Sequence, residues 1–139
     1  MKLTGVVAAL LAVPAALAAT VTVSFDQAYD NGGSSLATVA CSDGANGLLT
    51  KGFTTFNSLP SFPRIGGAAA IAGFNSANCG TCWKLTFNGT SINVLAIDHA
   101  GAGFNIALAA MNTLTKGNAI FLGRINADAT QVAASACGL

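Results

Sequence analysis

Beyond an apolar N-terminal stretch, apolar and polar positions alternate in short runs separated by glycine-rich punctuation, the period-two signature of half-buried strands. Val21-Thr22-Val23-Ser24-Phe25 alternates, and Asn31-Gly32-Gly33-Ser34 breaks the pattern. Cys41-Ser42-Asp43-Gly44-Ala45-Asn46-Gly47 is dense in turn residues: glycine permits positive φ, and Asp and Asn side chains bond back to nearby amides. Pro60 to Pro63 and Gly66-Gly67 read as another irregular stretch, and the uniformly apolar Ala68 to Phe74 as a buried strand. The clearest signal is a hairpin of Trp83 to Phe87, the turn Asn88-Gly89, and Ser91 to Ile97, because Asn-Gly suits a two-residue type I′ turn. Asn105 is placed to cap a helix over Ile106 to Leu114, closed by Lys116-Gly117. Strands over Ala119 to Ile125 and around Gln131 to Ala134 complete the count. Many short strands, one good helix and regular turns predict a mainly β fold, a small β-barrel.

The N-terminus sets the compartment. Lys2 precedes the apolar run Val6 to Val13, and Ala16-Leu17-Ala18 supplies small residues at alternate positions. This predicts a signal peptide over residues 1–18, cleaved after Ala18, and a single domain over residues 19–139. The apolar core falls short of the roughly 20 residues that cross a bilayer, so no membrane span is expected. The mature chain carries five basic side chains against Asp26, Asp30, Asp43, Asp98 and Asp128, with no glutamate. No basic patch points to nucleic acid and no polybasic run to anionic lipid. An uncharged, polar and partly apolar surface suits neutral partners such as polysaccharides, or wall and air-water interfaces.

Cys41, Cys79, Cys82 and Cys137 are even in number in an oxidising compartment, so two disulfides are expected. Four cysteines allow three pairings. We expect Cys41–Cys79 and Cys82–Cys137, which tie the early and late thirds of the chain to its centre, each closing a loop worth roughly 4 kcal/mol in the chain-entropy model. A redox Cys-x-x-Cys should open a helix, whereas Trp83 to Phe87 alternates like a strand. A zinc site would need a second such pair or spaced histidines, so neither a metal nor a cofactor is expected.

With so few acids, polar chemistry converges on Asp98, at the end of the apolar run Val94 to Ile97. His99 follows it directly; on a strand the two point to opposite faces, so His99 reads as a structural, hydrogen-bonded histidine. Asp98 is open to either a structural or a ligand-facing role. Glycoside hydrolysis takes two carboxyl groups about 5 to 9.5 Å apart, and Asp26 and Asp43 are the available partners, though no spacing sets either opposite Asp98. Tyr29 and Trp83 have faces on which a sugar can stack, with the core the favoured place for Trp83. Asn88-Gly89-Thr90 fits the N-glycosylation acceptor, but the tight turn alone accounts for Asn-Gly. Gly101-Ala102-Gly103 lacks the rest of a phosphate loop.

A wider set of motifs carries a resemblance. Val23-Ser24-Phe25-Asp26 with Tyr29-Asp30, the Cys41 to Leu48 segment, Ile65-Gly66-Gly67, Asn75 to Trp83, Leu95-Ala96-Ile97-Asp98-His99, Gly103 to Ala107 and Ser135 to Leu139 follow in the order seen in cerato-platanins. The chain resembles these small secreted fungal proteins over essentially its whole mature length. The resemblance implies a six-stranded double-psi β-barrel, related to the N-terminal domain of expansins and to barwin, with one or two short helices and the disulfide pairing above. It further implies a place outside the cell or in the fungal cell wall and binding of chitin or N-acetylglucosamine oligomers in a shallow groove. Expansin-like loosening of polysaccharide, cellulose included, self-assembly of a monomer at hydrophobic interfaces, and elicitation of plant defence through a host receptor complete the expectation. Asp98 matches the family's aspartate in Ile-Asp-His, and Asn105 and Asp26 match polar positions along the groove; Tyr29 and Asp43 complete the candidate sugar-binding set. Phe74 stands where many relatives have Trp, which removes an indole donor. The leading expectation is a carbohydrate-binding, wall-loosening protein without hydrolytic activity; the alternatives are a weak glycosidase using Asp98 with a second Asp, and a surface-active protein without a sugar site.

Overall fold

The structure, a computed structural model, describes residues 17–139. The expected leader thus lies, but for Leu17 and Ala18, outside the described residues. Six strands close into a barrel: β1 (Ala19–Phe25), β2 (Ile65–Ala68), β3 (Cys82–Phe87), β4 (Thr90–His99), β5 (Phe104–Ile106) and β6 (Arg124–Val132). Around the barrel they run β1-β5-β2-β4-β3-β6. The pairs β1·β5 and β2·β4 are parallel and the other four antiparallel, so parallel pairing is interleaved between distant parts of the chain. This is the six-stranded double-psi architecture expected from the sequence. Inward positions alternate as a half-buried strand requires: Ile125, Ala127 and Ala129 of β6 are buried between exposed neighbours. Leu85, Val94, Leu95, Ile97, Ile106 and Met111 are among the fully buried side chains at the centre.

The hairpin forms as expected, with Asn88 at φ 47° and Gly89 at φ 81°, the pair of positive values a type I′ turn demands. Both disulfides pair as expected, Cys41 with Cys79 and Cys82 with Cys137. Trp83 is half-buried, packed edge-on against Phe104 at 5.6 Å between ring centroids, and its Nε1–H donates to Thr81 Oγ1 at 2.8 Å.

Four local expectations give way. Ala68 to Phe74 is not a strand: β2 occupies Ile65–Ala68, so Gly66-Gly67 lie inside it and the chain turns away at Ala69. The glycines are there because neighbouring backbone comes too close for a side chain; a Cβ on Gly66 would sit 2.4 Å from the Asn105 carbonyl oxygen. Asn105 is not a helix cap but the middle of β5, and the helix α1 begins later, at Leu108–Thr115. Its first free amides are satisfied from far away in sequence: Leu108 N–H donates to Asp30 Oδ2 at 2.7 Å and Ala109 N–H to Asp30 Oδ1 at 2.9 Å. Lys116 ends α1 in the left-handed conformation, as Lys116-Gly117 suggested. Ala119 to Ile125 divides into a one-turn helix α2 (Ala119–Leu122) and the start of β6, because Gly123 at φ 70° reverses the chain between them. Gln131 and Val132 are the last residues of β6, not the start of a separate strand.

Asp30→Ala leaves the first turn of α1 without its acceptor and should lower unfolding free energy by about 1–2 kcal/mol. Chemical denaturation measures this, and an unchanged midpoint would remove Asp30 as the cap.

Candidate functional site

The strand registers place five residues in one row across the barrel, four of them at least partly exposed and Gly67 buried. Arg124 of β6 pairs with Ser24 of β1, Ser24 with Asn105 of β5, Asn105 with Gly67 of β2, and Gly67 with Asp98 of β4. Alternation explains why the row is polar: Val23, Phe104, Ile106 and Ile97, its chain neighbours, turn inward and are buried. With neighbouring strands about 4.8 Å apart, five of them span roughly 19 Å of curved surface. Ser24 Oγ donates to Asn105 Oδ1 at 3.0 Å, which leaves the Asn105 amide nitrogen directed elsewhere. Ser24, Asn105 and Arg124 line an open groove of about 490 Å³ together with His99, Ala100 and Gly101.

Gly67 is the buried position of the row, packed against the His99 backbone and the Tyr29 hydroxyl. A Cβ there would lie 2.8 Å from the His99 carbonyl oxygen and 3.3 Å from the Tyr29 hydroxyl. The bulge between Gly66 and Gly67 brings Asp98 into line with Gly67.

Asp98 is held on three sides. Tyr29 O–H donates to Oδ2 at 2.9 Å, and the amides of Ala40 and His99 both donate to Oδ1 at 2.9 Å. The carboxylate thereby joins β4 to the turn containing Tyr29 and to the segment leading into Cys41. It retains further lone pairs for a ligand, since an ionised carboxyl group offers about four acceptor sites. Burial, then the negative charge and hydrogen bond of Asp98 and the nearby Asp26, push the Tyr29 phenol well above its ordinary value.

Of the expected set, the structure brings Asp98, Tyr29 and Asn105 into one neighbourhood. Asp26 follows β1; its amide donates to the Ile106 carbonyl at 2.9 Å and its carboxylate accepts from Ala28 N–H at 2.9 Å, capping the turn that presents Tyr29. Asp43 is exposed on the loop after Cys41. His99 is exposed at the groove, and its Nδ1 lies 2.6 Å from the Ile71 carbonyl oxygen. A carbonyl only accepts, so Nδ1 carries the proton, and the ring is pinned as the structural reading anticipated. Ser24, Gly67 and Arg124 were not foreseen. Ser24 had a usable signal, the polar position between Val23 and Phe25; Gly67 and Arg124 fell in segments whose strands were misplaced. Among the described residues no group of three or more His, Cys, Asp or Glu side chains is placed to hold a metal ion. No helix of the described residues is long and apolar enough to cross a membrane.

Tyr29 is the single tyrosine of the chain, so its ionisation can be read alone. Because its folded value is raised, its contribution to stability is complete below the unfolded value of about 10 and declines as pH rises beyond it. In the folded protein, tyrosinate absorbance near 295 nm should be missing at pH about 10.5 and appear only with alkaline unfolding. Half-ionisation at pH 10 with the fold intact would contradict the Tyr29–Asp98 arrangement.

The family model described as Cerato-platanin matches residues 21–139. The Allergen Asp f 15 homolog of Arthroderma benhamiae is 54% identical over 126 residues, 89% of this chain but 61% of that protein. Cerato-platanin of Ceratocystis fimbriata f. sp. platani is 39% identical, covering 88% of this chain and 90% of its own. The crystal structure of cerato-platanin 2 from M. perniciosa superposes with a TM-score of 0.83 at 54% identity, over 87% of this chain and 100% of that one. With the barrel, both disulfides and a family match from Val21 to the final Leu139 in agreement, the chain belongs to the cerato-platanin family.

Proposed function

We propose that this protein is secreted to the fungal cell wall and its surroundings, where it binds chitin or N-acetylglucosamine oligomers along the row from Arg124 to Asp98 and loosens wall polysaccharide without cleaving it. The observation that carries the reading is the row itself: five strands contribute one polar or glycine position each, in continuous register. A row spanning roughly 19 Å, with the open groove at Ser24, Asn105 and Arg124, suits an extended oligomer better than a single sugar. Asn105 offers amide donors, Ser24 a hydroxyl, Arg124 a guanidinium and Asp98 a charged acceptor, the groups that hydroxyls and acetamides require. A charged acceptor competes with the hydrogen bonds between polysaccharide chains and breaks no covalent bond. Binding is weak, because an open, wet groove recovers little of the entropy lost when an oligosaccharide is ordered.

Hydrolysis is disfavoured by the same contacts. Both oxygens of Asp98 already accept hydrogen bonds, and Asp26 is occupied at its turn, so the nearby acids serve as fixed acceptors. One solved relative is described as a fungal elicitor, at 38% identity and a TM-score of 0.76 over 84% of this chain and 95% of its own, which supports an elicitor role for this chain. A second reading, surface activity through self-assembly, is favoured by the exposed Phe74 and Ile120, 66% and 70% accessible.

Titration of the mature, disulfide-intact protein with N-acetylglucosamine oligomers, followed by amide NMR, should move resonances around Ser24, Gly67, Asp98 and Asn105. Asn105→Ala and Asp98→Asn should each weaken binding about 3–10-fold, one hydrogen bond's worth, and reduce filter-paper loosening alike. A parallel assay should find no new reducing ends. Unaltered binding in both variants would sink the site, and film formation surviving in them would favour the surface-active reading.

A further inference from the structure

We infer that Asn88 carries an N-linked glycan whose innermost N-acetylglucosamine packs against Phe87 and Thr90 in the groove beside α2. The acceptor sequence Asn88-Gly89-Thr90 forms the tip of the β3–β4 hairpin, where Asn88 and Gly89 are both exposed. Phe87 and Thr90 are cross-strand partners flanking the turn, so their side chains stand on the same face. On that face is a groove of about 410 Å³ whose walls include Phe87, Asn88, Thr90, Leu114, Phe121 and Leu122.

The opposite wall leaves apolar surface that the core does not use. Helix α2 buries only Ala119, and Phe121 is 88% exposed. A pyranose suits such a wall: its C–H face, slightly positive, rests on the negative face of an aromatic ring while its hydroxyls stay in water. The first sugar on Asn88 is an occupant that the chain itself delivers there, since Asn88 is one of the residues lining the groove. Two consequences follow for the fold. The sugar clamps the hairpin turn, and it shields part of the apolar surface of α2.

Attachment uses a lipid-diphosphate-linked oligosaccharide as co-substrate. Asn88 Nδ2 bonds to the anomeric carbon as that carbon's bond to the phosphate oxygen breaks. The diphosphate leaves with the electron pair, and the amide proton passes to a base of the transferase. The reaction requires passage through the secretory route, and so rests on the signal peptide expected over residues 1–18.

The test is secretion of the full chain from a eukaryotic host, with intact mass measured before and after an endoglycosidase that leaves a single N-acetylglucosamine. The secreted chain should exceed its peptide mass by a glycan and fall to peptide plus one sugar, while Asn88→Gln and Thr90→Ala run at peptide mass. The one-sugar form should melt about 2–4 °C above the same mature chain made without sugar in a bacterial periplasm. Phe87→Leu should shrink that difference. Wild-type protein secreted at bare peptide mass overturns the attachment, and equal melting temperatures overturn the packing. Retention in the cell overturns the signal peptide, and the same mass measurement behind an established leader then decides Asn88.

Discussion

The barrel depends on a close approach of backbones at Gly66 and Gly67. β2 is four residues long, yet it alone joins β4 on one side to β5 on the other. The Asn105 carbonyl oxygen would sit 2.4 Å from a Cβ on Gly66, and the His99 carbonyl oxygen 2.8 Å from one on Gly67. A larger residue at either place must push a neighbouring strand outward, and the closed hydrogen-bond circuit gives no free edge to absorb the shift. The same glycines shape the surface. Gly67 sits buried between Asn105 and Asp98 in the register, and its missing side chain leaves room for the Tyr29 hydroxyl that bonds Asp98.

Asp98 shows why a structural and a ligand-facing carboxylate need not be rival assignments. Three donors from three parts of the chain meet on it: the Tyr29 hydroxyl, the Ala40 amide and its neighbour His99. These bonds fix where its remaining lone pairs point, which is what recognition of an uncharged sugar requires. The adjoining backbone is fixed too, with Cys41 N–H bonded to the Ile97 carbonyl at 3.1 Å and Cys41 itself bridged to Cys79.

What could be read from the sequence was whatever local rules determine. The β3–β4 hairpin was legible because Asn-Gly specifies its own turn, and β1 because Val21 to Phe25 alternates without interruption. The polar face of β1 even held Ser24, a row member passed over because a lone serine carries no chemical signature. Where distant contacts decide, the reading failed. Asn105 looked like a cap because a helix does follow, but the cap is Asp30, 78 residues away from Leu108. Gly66-Gly67 looked like punctuation because propensity discourages glycine in strands, and only the neighbouring backbones explain the pair. The apolar residues between Ala119 and Ile125 belong to two unrelated elements, an exposed helical turn and the start of a strand, which periodicity over seven residues does not separate. Asp98 stands out in the sequence as a scarce acid at the end of an apolar run and Asn105 through a family motif, whereas Gly67 and Arg124 needed the register to bring them in.

The use made of scarce charge also argues for a binding surface that is mostly neutral. Asp26 caps the Tyr29 turn, Asp30 caps α1, Asp98 gathers three donors, and Asp128 accepts from Thr20 at 3.3 Å. Four of the five aspartates thus hold local structure, in a chain with no glutamate to spare. Catalysis of glycoside cleavage asks for two acids whose protons are free to move. The carboxyl oxygens of Asp26 and Asp98 already accept hydrogen bonds from the chain itself. The remaining groups along the row, Ser24 and Asn105 with Arg124 at its end, match neutral hydroxyls and acetamides in kind. Such a row offers hydrogen-bond donors and acceptors in a fixed order, which is the basis of the proposed polysaccharide binding.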